Sequence, residues 1–393
     1  MQRRSFLKGM GIVSILVVGG TVWRAYDRGV FSVGEGPAFE PWKNWRDATS
    51  GPLALVQAAI LAANPHNTQP WLFKIDQSSI ELHANTERNA GALDPYLREQ
   101  HIGLGCALEN LMLAAAAQGY VATATLFAGK LTSIATTPKL PLVARVDLAA
   151  GQKQTSELYD AIPHRHTNRN PYYLKALPAD FIESLNRMTG DASDIKLFLF
   201  TTETDRTRIV GMIVKADHLV YADPQVTQGS NPWMRKNWSD VQTFRDGIIT
   251  DEFGDPPLTT AIEKFGAPML TKFASRHGLL GSPSYSDILK ATPLFGLIAL
   301  RDRYDGEQNL RAGRIWQRAH LLATARGLAG RPVNEAVELM DNQRMHHQPP
   351  QAEAALAELT GDNSWQPTFM FRFGYPIRDV SPSPRRPVKD VLI

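Results

Sequence analysis

"GCALENLMLAAAAQGY", Gly105–Tyr120, can be laid residue for residue over "GRIWQRAHLLATARGL", Gly313–Leu328. Gly105 falls on Gly313, Leu113 on Leu321, Ala115 on Ala323, Ala117 on Ala325 and Gly119 on Gly327. Both stretches read as long helices. Small residues along a helix let a second backbone approach closely, and each closing glycine suits the left-handed cap conformation. A pattern met twice in one chain predicts a duplicated unit facing itself across a pseudo-twofold axis.

Working outward, "LALVQAAILAA" before the first long helix has the apolar spacing of a buried helix. Ser50 or Thr49 could cap it, Pro52 suits its first turn, and the pre-proline position Asn64 would end it. "WLFKI" and "SIELHAN" alternate and read as strands joined by "DQSS". Further on, a helix in "ELYDAIPH" leads into a polar turn from Arg165 to Pro171. "LPADFIESL" then predicts a helix, "DIKLFLF" a strand, and "PTFMFRFGYP" a last strand before the basic tail "SPSPRRPVKDVLI". The stretch at about 216–287 has no counterpart earlier in the chain and reads as an inserted lid or arm. The expected division is a leader and linker at 1–40, a first unit at 41–150 and a second at 151–393.

A chain of 393 residues allows two or three domains, and 43% hydrophobic against 21% charged residues fits a large core. The net charge is +3, with no Lys/Arg stripe interleaved with aromatics, so a nucleic-acid partner is not expected. The single cysteine, Cys106, excludes an internal disulfide and reads as a small buried hydrophobe. His346-His347 lack companions at ligand spacing, so a surface pair is expected rather than a metal. At the start, "MQRRSFLKGM" gives a basic region, followed by an apolar run too short to span a bilayer. Its Arg3-Arg4-Ser5-Phe6-Leu7-Lys8 resembles a twin-arginine export signal; an ordinary secretory signal or short anchor is the alternative. The expected location is therefore periplasmic or otherwise exported, with membrane anchoring through this segment left open.

Three motifs carry chemistry. "ANPHNTQPWLFKI", Ala63–Ile75, sets Asn64, Asn67 and Gln69 between prolines. Side-chain amides offer both donor and acceptor, and so suit an uncharged hydrogen-bonding ligand; they equally serve turns and caps. "RHTNR" holds Arg165, Thr167 and Arg169, and the tail holds Arg385 and Arg386. Arginine with a short hydroxyl suits a phosphate, while short basic runs are commonly solvated turns or frayed tails.

In their order, these motifs and the repeated helices resemble the flavin-dependent nitroreductase family, in the Acg-like branch that fuses both halves of the usual dimer. The resemblance runs from about Gly51 onward. It implies an α+β nitroreductase fold and bound flavin mononucleotide (FMN). It further implies that Asn64, Asn67 and Gln69 read the ribityl chain and pyrimidine edge, while Arg165, Thr167, Arg169, Arg385 and Arg386 surround the phosphate. The first unit carries the amide loop and the second the arginine turn, so one site per chain is expected in a monomeric internal pseudo-dimer. The implied activity is two-electron flavin redox with a nitro, quinone or similar small-molecule acceptor, with no particular side chain demanded as catalyst. A flavin-binding or flavin-storing protein with little turnover, and a membrane-tethered interaction protein with a relict site, are the alternatives.

Overall fold

The computed structural model describes residues 23, 27–29, 31–47, 50–235, 237–253, 260, 264 and 284–393. The export-signal segment, Thr49 and the greater part of the inserted stretch beyond residue 253 lie outside the described residues. Among the described residues no helix is long and apolar enough to cross a membrane.

Five helices position the site: α1 (Pro52–Ala59), α2 (Arg98–Gln118), α3 (Glu203–Tyr221), α4 (Gly306–Ala325) and α5 (Glu335–Met345). Two antiparallel sheets flank them. The first comprises β1 (Trp71–Ile75), β2 (Ser79–Ala84), β3 (Tyr120–Leu126) and β4 (Leu142–Ala150), in the order β1-β2-β4-β3. The second contains β6 (Ile195–Phe200), β9 (Leu294–Leu300), β10 (Ala329–Pro332) and β11 (Gln366–Pro376), in the order β10-β11-β9-β6, with β5 (Tyr172–Tyr173) paired to β11. Between them in sequence, β7 (Met234–Arg235) and β8 (Ile248–Ile249) pair in parallel within the inserted stretch. The content is α+β, as the sequence implies.

The long helices α2 and α4 cross where Gly105 meets Gly313, and the contact is reciprocal. A Cβ on Gly105 would lie 2.0 Å from the Leu310 carbonyl oxygen, and one on Gly313 2.0 Å from that of Ile102. No other residue fits either position without moving a backbone. Cys106 is buried at this crossing, its thiol 3.3 Å from the Gly313 carbonyl oxygen, and burial pushes its ionisation far upward. As expected from the sequence, Gly119 caps α2 in the left-handed region, and Gly327 follows α4 in the same conformation.

Two local expectations are corrected. Helix α1 has Gly51 at its cap, with no side-chain capping bond, and stops at Ala59 rather than reaching Asn64. The reason is tertiary. The carbonyls of Leu61 and Ala62 accept from Arg165 and Arg385, and the Ala63 amide donates to Gln317 Oε1. The inserted stretch does not begin at Ala216, which lies inside α3; the helix runs on to Tyr221 before the chain departs. From there the chain docks on the 67–91 region. Trp233 Nε1 donates to the Asn89 carbonyl at 2.8 Å, the Gly247 amide to the Asn67 carbonyl at 3.1 Å, and Asp246 pairs with both Arg88 and Arg235. The tail returns to the first sheet, where the Phe73 amide donates to the Val391 carbonyl and the Ile393 amide to that of Phe73.

Candidate functional site

A cavity of about 610 Å³ opens beside the α2–α4 crossing. Its floor is Ile102 and Cys106 from α2, Trp316 from α4 and Phe369 from β11. Trp316 is locked among Phe369, Phe371 and Phe373, with ring centroids 5.0–5.7 Å apart, so it offers a rigid apolar surface. The inserted stretch closes one side with Met234, Ile248 and Phe253.

Of the eight residues singled out in the sequence, Asn64, Thr167 and Arg169 line this cavity. Asn64 stiffens its own loop: its Oδ1 accepts from the Gln69 amide at 2.7 Å and its Nδ2 donates to Ala62 at 3.2 Å. Three residues of that loop, His66, Asn67 and Gln69, hold positive φ, and such side-chain bonds keep them there. Thr167 lies beside Gly330 of β10 in a parallel bridge, which fixes the arginine turn against the second sheet. Arg169 donates to the Glu252 carbonyl and carboxylate at 3.2 and 3.3 Å.

The other five stand behind the wall. Asn67 Nδ2 donates to Gly247 and Pro384 carbonyls, and Gln69 Nε2 to that of Arg245, while Gln69 Oε1 accepts from the Arg386 amide. These two amides therefore clamp the tail and the inserted stretch to the loop. Arg165 and Arg385 lie over the two carbonyls of Leu61 and Ala62 and beside Trp42, at 6.0 and 4.8 Å from its ring. Arg385 also donates to Asn67 Oδ1. Burial, then the neighbouring Arg165 charge, brings the Arg385 guanidinium down to about 9. Burial brings Arg165 down to about 10. The Arg386 side chain donates to the Asp390 carbonyl. The expected single wall of arginines is thus divided, with only Arg169 reaching the cavity.

Several cavity residues were not singled out in the sequence. Arg331, at the end of β10, lies 5.0 Å over the Tyr285 ring, and its side chain makes no hydrogen bond or ion pair with any described residue. Glu99, Glu335 and Glu338 line it with Tyr221. The signal that could have found them is a conflict of pattern. "REQH" (Arg98–His101) sets four polar residues at the start of an otherwise apolar small-residue helix, and all four are buried. "RPVNEAVE" likewise places Arg331, Glu335 and Glu338 around a strand-to-helix junction. His66 also lines the cavity; burial and the Arg169 charge lower it to about 4, so it is neutral at pH 7. Among the described residues no His/Cys/Asp/Glu group is arranged to hold a metal ion.

No family model matches the chain. A Mycobacterium tuberculosis protein, provisionally named an NAD(P)H nitroreductase, is 26% identical over 343 residues, spanning 85% of this chain and 88% of the relative. The nitroreductase named acg from the same species is 30% identical over 148 residues, 36% of this chain and 41% of that protein. Solved nitroreductases overlay part of the chain at low TM-score. The FMN-dependent NfnB of Mycobacterium smegmatis, in complex with NADPH, gives 0.36 at 13% identity, covering 60% of this chain and 96% of that one. A Desulfitobacterium hafniense nitroreductase with bound FMN also gives 0.36, at 10% identity, covering 60% and 97%. The chain is thus similar over 85% of its length to one protein that carries the nitroreductase name, and over 36% to a second.

Proposed function

We propose that this chain is an FMN-dependent oxidoreductase of nitroreductase type, acting on a nitro, quinone or similar acceptor. The observation that carries the reading is Arg331: a guanidinium that lines a large cavity within electrostatic reach of Arg169 and makes no hydrogen bond or ion pair with any described residue, Glu335 acting on it only at a distance. A dianionic phosphate answers that arrangement through charge-assisted, bidentate hydrogen bonds. The cavity volume falls in the ~300–1,000 Å³ range of small-molecule sites, and its Trp316–Phe369 floor suits a flat ring system. Arg169, Arg331 and Thr167 would hold the phosphate, and Asn64 the polyol or pyrimidine atoms. Asn67, Gln69, Arg165, Arg385 and Arg386 would hold the wall behind them.

When bound, the flavin supplies two-electron redox chemistry. The chain's share is position and shelter. Met234, Ile248 and Phe253 give the cavity an apolar side, and the tail pins the amide loop through Asn67 and Gln69. Cys106 remains a thiol, so it offers no thiolate nucleophile. The experiment is to purify the chain, record its flavin spectrum and mix it with NADPH or NADH under anaerobic conditions. Bleaching followed by reoxidation with a nitroarene or quinone is the expected result. Absence of any bound or bindable flavin overturns the reading.

The closing contribution of the inserted stretch favours a second reading, a flavin-holding protein with little turnover. Flavin that stays oxidised with NAD(P)H yet is released intact on unfolding would select it. Export through the twin-arginine route is also proposed, from Arg3-Arg4-Ser5-Phe6-Leu7-Lys8. Replacing both arginines by Lys is expected to leave the protein in the cytoplasm on cell fractionation, and normal export of that variant would refute the assignment.

A further inference from the structure

Part of the cavity lining is built from glutamates. Glu335 and Glu338 stand one turn apart on α5, and Glu99 comes from the first turn of α2. Two of them have partners: Glu99 pairs with Arg98 at 3.3 Å, and Glu335 Oε1 accepts from the Tyr285 hydroxyl. Glu338 has none. It is 8% exposed, its side chain makes no hydrogen bond or ion pair with any described residue, and its Oε2 is sealed from solvent. The Oε2 of Glu335 is sealed and unpartnered as well.

The surrounding charges do not balance this group. Arg98, the nearest cation on α2, is shared among Asp341, Glu99 and the Thr368 carbonyl. Asp94 adds a further carboxyl at the start of α2, and Tyr221 and Asp217 face the cluster from α3. Arg331 stands on the Glu335 side, over Tyr285. Burial, then Glu99 and Glu335, lifts the Glu338 carboxyl well above the ordinary carboxylate range, and burial pushes Glu99 up to about 7. A buried carboxylate with nothing to bond costs free energy. Either a proton or a ligand cation relieves it. The group faces the cavity, and the described carboxylates are not arranged for a metal, so the fitting cation is organic.

We propose that Glu338, flanked by Glu99 and Glu335, is a recognition subsite for an organic cation, a protonated amine or amidinium borne by a small molecule that enters the cavity. An amidinium presents planar donors that match a carboxylate in pairs. Its arrival allows Glu338 to ionise, so uptake releases protons near neutral pH and tightens as pH rises. The proposal does not rest on the flavin reading, although Arg331, assigned there to the phosphate, lies on the Glu335 side.

The test is calorimetry of the full chain, flavin-loaded and flavin-stripped, with benzamidinium, benzamide and benzoate as probes, in two buffers of different ionisation heat. Benzamidinium is expected to bind in both forms about tenfold or more tighter than benzamide or benzoate, with proton release. Glu338→Gln should weaken benzamidinium about tenfold and abolish the release. Glu338→Asp, the check against a variant that merely misfolds, should keep the cation preference. Equal binding of benzamide, failure of benzamidinium to bind at millimolar concentration, or unchanged binding to a folded Glu338→Gln chain overturns the proposal. Exclusion of benzamidinium by flavin loading also overturns it, because the acidic lining would then belong to the flavin pocket.

Discussion

Arg165 is buried and Arg331 half-buried, and their surroundings predict opposite roles. Arg165 spends donors on the Leu61 carbonyl and the His320 ring, whereas Arg331 faces the cavity with its donors free of described partners. Charge-assisted bonds are worth roughly 1.5–3 kcal/mol, so Arg331→Ala should weaken FMN about ten- to a hundredfold and leave riboflavin, which lacks the phosphate, nearly unchanged. Arg165→Ala should instead lower the melting temperature and affect both ligands alike. Titration of the two ligands against the two variants decides it; equal loss of riboflavin in Arg331→Ala would refute the phosphate role. The residue type was legible in "RHTNR", but its partner was not. The Leu61 carbonyl is free only because α1 stops early, and the sequence carries no mark of that. Glu338 gives a second residue-scale prediction. Its folded-state carboxyl titrates well above the unfolded value of 4.5, so the folded chain binds more protons than the unfolded one above that pH. Stability therefore falls as pH rises from about 4.5 toward the folded value. Glu338→Gln removes this loss: denaturant unfolding should show it more stable than wild type at pH 8 and no more stable at pH 4. A parallel offset at both pH values would mean that Glu338 is ionised or paired in the folded state.

At the scale of elements, the α2–α4 crossing was the most legible feature of the fold. Its requirement is steric and local: wherever two backbones nearly touch, only glycine fits, and Gly105 and Gly313 mark the place in the sequence itself. The strands "WLFKI" and "SIELHAN" were legible for the same reason, because alternation is a local pattern. The end of α1 and the start of the inserted stretch were not, since each depends on contacts hundreds of residues away, such as Arg385 to Ala62. The acidic lining of the cavity escaped because Glu99, Glu335 and Glu338 become neighbours only when α2 meets α5. The crossing makes a sharp prediction. Gly313→Ala puts a methyl 2.0 Å from the Ile102 carbonyl oxygen, so α2 and α4 must separate. Overpacking of this kind costs ~1–3 kcal/mol or more, visible as a lower melting temperature. Gly211→Ala is the matched control: Gly211 sits in α3 with nothing within 4 Å of a Cβ, so the same change there should stabilise by ~0.5–1 kcal/mol. Similar effects at both sites would show that helix propensity, not the close approach, governs the crossing.

The whole molecule raises the question of how many sites one chain can build. If the repeat is a true pseudo-twofold, the cavity-facing positions of α2 have counterparts on α4, found by adding the same offset that takes Gly105 to Gly313. Ile102 then corresponds to Leu310, Gly103 to Arg311, Cys106 to Arg314, and Trp316 to Leu108. Where the observed cavity has small or apolar floor residues, the related position carries two long cations already engaged. Arg311 pairs with Asp194 and Arg314 with Glu109, the latter at 2.8 Å. The wall differs too. The amide loop, held by the tail through Asn67 and Gln69, is paired with the arginine turn once, at the cavity between Asn64 and Arg169. Two other cavities hold about 180 and 20 Å³, too little for a flavin. One flavin per chain is therefore expected, with the internal repeat replacing a second subunit. Released flavin measured by absorbance against protein concentration should give a ratio near one, and sedimentation should give a monomer. A ratio near two would mean that Arg311 and Arg314 move aside to open a second site, and the single-site reading would fall; a ratio near one in a dimer would leave the site intact but remove the claim that the repeat substitutes for a partner.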